Sequence, residues 1–140
     1  MRDVSPVDWY VGTYQLRFVE LGDKGNEDPT RRFLTWENTV LVKAKSLSEA
    51  HRKITRIGKS TRPYKGGPDA VEVQWVFEGV VELLPVYDEI EDGVEIMWGE
   101  LRRSLKKIRS LAKRASEFKQ HKTSPTSRST RSRAKARTPG

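Results

Sequence analysis

At 140 residues with no cysteine, the chain has room for one modest domain and excludes disulfides, thiolate chemistry and cysteine-based zinc sites. Its net charge of +8 is unevenly placed: residues 102–140 hold 14 Lys or Arg against one acid, Glu117, or +13, whereas residues 1–101 hold 13 basic and 18 acidic residues, or −5. A mildly acidic body therefore carries a cationic appendage, and no apolar run is long enough to span a membrane.

The opening Met-Arg-Asp-Val-Ser-Pro lacks the apolar core of a signal peptide, so a cytoplasmic location is expected. Residues 9–21 read as a first strand, with Tyr10, Tyr14, Leu16 and Phe18 on one face and Thr13, Gln15 and Arg17 on the other. The turn formers and charges of residues 22–32 read as a mobile hairpin loop. Residues 33–45 return as a second strand, in which Val40, Val42 and Ala44 alternate with Thr39, Leu41 and Lys43.

The clearest helix start follows. Ser46 and Glu49 have capping-box spacing, and Leu47, Ala50, Ile54 and Ile57 then mark one helical face. Gly58 is expected to stop the helix in the left-handed conformation. The basic loop beyond it contains Gly66-Gly67, but a phosphate-cradling glycine loop must lead into a helix, and this pair leads into Pro68 and a strand. A plain turn is expected there. Residues 71–84 form the third long strand, with a bulge or bend near Gly79 and Pro85, and Asp92-Gly93 turns the chain into a last short strand at Val94, Ile96 and Trp98.

From residue 99 to about 121, Leu101, Leu105, Ile108, Ala112, Ala115 and Phe118 recur at helical spacing on a cationic cylinder. Residues 122–140 are Ser, Thr, Pro, Arg and Lys with nothing aromatic or aliphatic larger than alanine, a composition expected to be disordered. The pattern predicts an α+β fold: a mostly antiparallel sheet of about four strands with one helix packed on a face (1–98), a basic amphipathic helix (99–121) and a disordered basic tail (122–140). The other sheet face is expected to be wet or partly covered by the second helix, with Arg17 and Lys43 pairing across strands with Glu37, Glu72 or Glu78.

Trp9-Tyr10, the block 37–50, Trp75-Val76-Phe77 and Asp92-Gly93-x-Glu95 resemble a small bacterial family known as domain of unknown function four-two-eight-eight, over residues 7–98. Members often have a second small residue one turn after the Glu-Ala pair, where this chain has Ile54. The resemblance implies the fold and carries no activity with it.

Catalytic constellations are not found. His51 falls on the polar side of the first helix, His121 lies in the basic end, and no Gly-x-Ser-x-Gly motif is present. Asp88, Glu89, Glu91, Asp92 and Glu95 form an acidic cluster, but in a calcium loop starting at Asp88 the third and twelfth positions would be Ile90 and Gly99, so a charged turn is the better reading. No metal site, cofactor or enzymatic activity is expected. Trp9, Trp36, Trp75 and Trp98 are read as core, Trp36 being the candidate for an exposed-face contact because polar residues surround it.

The strongest functional signal is the basic end. Arg102, Arg103, Lys106, Lys107, Arg109, Lys113, Arg114, Arg128, Arg131, Arg133, Lys135 and Arg137 can neutralise phosphates without reading sequence, and the absence of interleaved aromatics leaves little stacking for single strands. This suggests a binding module with nonspecific nucleic-acid contact. The rival reading is a protein–protein interaction module of the immunity, antitoxin or adaptor kind, working through the acidic domain with the tail incidental.

Overall fold

A computed structural model describes residues 3–118. It has an α+β architecture: one antiparallel sheet of four strands with a helix on one face. The elements are β1 (Trp9–Glu20), β2 (Thr35–Lys43), α1 (Leu47–Gly58), β3 (Tyr64–Gly66) and β4 (Val71–Pro85), followed by α2 (Leu105–Leu111) and a 3-10 turn at Ala115–Glu117. The strand order is β2-β1-β4-β3, so β1 lies inside the sheet and its alternating residues are covered on both sides.

On the helix side, Tyr10, Tyr14 and Leu16 of β1 join Val42, Ala44, Ala50, Ile54 and Trp75 in the core. Gly12 lies on this face opposite Val40 and Leu83. A Cβ at Gly12 would collide with Ile54 Cδ1. The large Ile54 side chain thus enters the core because the strand beneath it is bare. Gly58 serves α1 differently from the expected left-handed stop. It is the last helical residue, Lys59 takes the cap position at φ −84°, and a Cβ at Gly58 would strike the Phe77 ring. Close approach to the sheet is what requires glycine there.

The start of α1 is as the sequence predicts. Ser46 is extended, and its Oγ accepts the Glu49 N–H at 3.1 Å. The Glu49 carboxylate reaches one residue further back than a strict capping box, accepting the Lys45 N–H at 2.7 Å. Ser46→Ala is expected to cost about 1 kcal/mol, read as a lowered denaturation midpoint.

Several expectations are corrected. The segment 94–98 forms no strand: β4 ends at Pro85 opposite Tyr10, Val86 N–H still donates to Trp9 O at 2.9 Å, and β1 goes no further, so the chain beyond runs past the end of the ladder and residues 94–98 are irregular. Tyr64–Gly66, expected as loop, is a short edge strand paired with residues 71–73, and Gly66-Gly67 enters the turn that joins the two. The bulge expected near Gly79 is present, Gly79 having φ +105° where the β1–β4 register shifts. The expected helix over 99–121 is regular only at Leu105–Leu111, and Ala112 is extended. Short helices need a packed face, and every residue from 99 to 118 is exposed, while like charges such as Arg102/Lys106 and Arg109/Lys113 sit four apart. The expected tail at 122–140 lies outside the described residues.

The face away from α1 is not left to the second helix. Val11 and Val19 of β1 are buried there, and residues 21–34 reach over Arg17. Its guanidinium lies 4.7 Å from the centre of the Phe33 ring, donates to Asn26 O at 2.7 Å and pairs with Glu78 at 2.8 Å. Lys43 instead sits over the Trp9 ring at 5.5 Å. The loop read as mobile is organised by a two-pronged Arg31–Asp23 pair at 2.9 and 3.0 Å. Those bonds, with the Gly25 N–H, hold the Asp23 carboxyl down at about 2.

Candidate functional site

Two surfaces are open to a partner. The first is the cationic arm. Lys106, Lys107 and Arg109 lie on α2, whose start is capped by Ser104 Oγ accepting the Lys107 N–H at 3.1 Å. Arg102 and Arg103 precede α2, and Lys113 and Arg114 follow it; all seven side chains are exposed. Arg114 pairs with Glu117 at 3.3 Å, and among the described residues no other cation of this group makes an ion pair. Along the same stretch Leu101, Leu105, Ile108, Leu111 and Phe118 are exposed as well, with Phe118 at 70%. Arg128, Arg131, Arg133, Lys135 and Arg137 lie outside the described residues.

The second surface was not foreseen in the sequence. At 12 residues α1 is about 18 Å long, whereas the 12-residue β1 extends about 40 Å. The helix covers the Tyr10 end and finishes over Tyr14 and Phe77. Beyond it the same face continues with Phe18, Trp75 and Tyr64, which line a cleft of about 320 Å³. Leu34 and Val71 form part of its wall while remaining 58% and 40% exposed. The ionisable carboxyls of the lining are Glu20 and Asp69, and neither makes an ion pair among the described residues. The Gly67–Pro68 turn closes one side.

Trp36, the candidate for an exposed-face contact, is half-buried next to this region. The register sets it beside Leu16 on the helix side, and its ring stacks on Trp75 with centroids 4.4 Å apart and 30° between planes. Phe18 packs against Trp75 at 5.0 Å. Such aromatic contacts contribute about 0.5–1.5 kcal/mol each beyond area burial. Trp75 is 3% exposed, and its indole N–H has no hydrogen-bond acceptor among the described residues.

Other sequence candidates do not assemble. His51 is exposed on α1. Among the described residues no group of three or more His, Cys, Asp or Glu is disposed to hold a metal ion. No described helix is long and apolar enough to cross a membrane. A small recess of about 50 Å³ at Leu84, Tyr87 and Trp98 is too tight for more than a water or two.

Fold and surfaces together define a small sheet-and-helix domain with an exposed basic extension. A family model described as Domain of unknown function (DUF4288) matches residues 9–98, and the chain belongs to that family. The match ends just before the arm begins. No curated protein and no solved structure matches the chain.

Proposed function

We propose that the protein is a non-enzymatic binding module that contacts nucleic acid nonspecifically through its cationic arm. The observation that carries this reading is the exposure of seven cations between residues 102 and 114, of which only Arg114 has a carboxylate partner among the described residues. Cations held in water along an extended segment are free to follow a phosphate backbone and release its counterions. The arm offers no aromatic platform apart from Phe118, which suits phosphate contact better than base stacking.

The core residues all lie between Tyr10 and Val86, so a chain ending at Gly99 retains every one of them. That truncated chain is expected to lose binding to unrelated DNA and RNA duplexes that the full chain retains. Equal binding by the two would overturn the reading.

A second reading has its own support. The apolar residues Leu105, Ile108 and Leu111 are exposed on the same arm, as a helix that pairs with a protein partner requires. In that case binding would resist salt and would be lost on replacing the three aliphatics with serine.

A further inference from the structure

We propose that the aromatic cleft beyond the end of α1 is a binding site for a basic peptide segment, and that its occupant is the chain's own C-terminal run, residues 131–137. The cleft has the volume of a small ligand site and walls of Phe18, Tyr64 and Trp75. Aromatic faces attract guanidinium and ammonium groups through their quadrupoles, the more so when water is excluded. Glu20 and Asp69 add negative charge at the rim that no cation of the described residues neutralises by direct contact. The same carboxylates repel a phosphate chain, so the cleft does not extend the nucleic-acid surface of the arm.

The sequence supplies a matching segment. In Arg131-Ser-Arg133-Ala-Lys135-Ala-Arg137 a cation occurs at every second position, with only Ser or Ala between. An extended chain turns alternate residues to one face, so these four cations can line up while the small residues allow close approach. The opposed charges of domain and extension, −5 and +13, favour the encounter. Reach is sufficient: the 12 residues from 119 to 130 that lead to this run span up to about 40 Å when extended, against a radius of about 13 Å for a domain of this size. A tethered segment also has an effective concentration in the millimolar range, which favours the chain's own run over that of a second copy.

The absence of cysteine makes the test direct. A nitroxide is attached through Ser132→Cys in the otherwise unaltered full chain, and amide signals of the isotope-labelled protein are recorded without nucleic acid. The expected result is that Glu20, Gly66, Gly67 and Val71 lose most of their intensity while Val42 and Ala50, at the other end of the sheet, keep theirs. The loss should be reversed in about 1 M salt, where screening shortens to about 3 Å. It should also be reversed by Glu20→Gln with Asp69→Asn, both exposed and outside the core. Three results would each overturn the proposal: broadening spread over the whole domain, cleft broadening indifferent to the two carboxylate changes, or broadening seen only when spin-labelled and isotope-labelled chains are mixed. The last would assign the cleft to a second copy.

Discussion

Affinity of the full chain for duplex DNA should fall about 10³-fold when salt is raised from about 50 to about 200 mM, with little dependence on base sequence. The magnitude follows from counting phosphates. Each neutralised phosphate of a duplex contributes about −0.9 to the slope of log affinity against log salt, and engaging about six of them gives a slope near −5. Residues 102–140 carry 14 cations, so six contacts leave most of the arm free to change partners. Replacing one contacting cation, for example Arg103→Gln, should weaken binding uniformly across sequences and reduce the slope by about 1. Filter binding or fluorescence anisotropy over a salt series reads both quantities. A slope near zero, or strong discrimination between duplexes of equal length, would mean that the arm does not bind by phosphate neutralisation. The mildly acidic domain contributes no compensating attraction, which is why truncation and salt are expected to act on the same residues.

How much of this was legible before the structure differs from element to element, for physical reasons. Strand alternation in residues 9–21, 33–45 and 71–84 and the Ser46 cap are local signals, and the strands and α1 appear within a few residues of where those signals put them. Tyr64–Gly66 is too short for any periodicity to register and is flanked by turn formers. The stripe from Leu101 to Phe118 was legible as a stripe, but spacing shows which residues would share a face, not whether anything packs on it, and α2 stops at Leu111. Trp36 has polar sequence neighbours, and they give no sign that its half-buried ring stacks on Trp75, two strands away in the sheet. The cleft was hidden for a related reason: Phe18, Leu34, Tyr64 and the pair Val71 and Trp75 come from four segments, and the space among them exists because α1 is shorter than the sheet it covers.

The dependence of α1 on a bare patch of β1 leads to the largest expected loss of stability, at Ile54→Ala. Ile54 is fully buried, and the residue facing it, Gly12, has no side chain to move into the space. Large-to-small changes at buried aliphatics cost about 2–5 kcal/mol, rising with the cavity that remains. The better helix propensity of alanine returns no more than about 0.5 kcal/mol. Against a total stability of about 5–15 kcal/mol, such a loss should lower the melting temperature by at least about 6 °C, at about 4–8 °C per kcal/mol for a domain of this size. Gly12→Ala alone should also destabilise, by about 1–3 kcal/mol, because its methyl meets Ile54 Cδ1. The two together should cost less than their sum, since the methyl of one occupies the space vacated by the other, and a coupling of about 0.5–3 kcal/mol is expected between residues in such contact. Strict additivity in a double-mutant cycle would mean that the helix is not seated on the strand through this pair. The exposed arm supplies the control. Below its lowered melting temperature the Ile54→Ala chain should bind duplex DNA with an unchanged salt slope, because every residue from 99 to 118 lies outside the core that the substitution weakens.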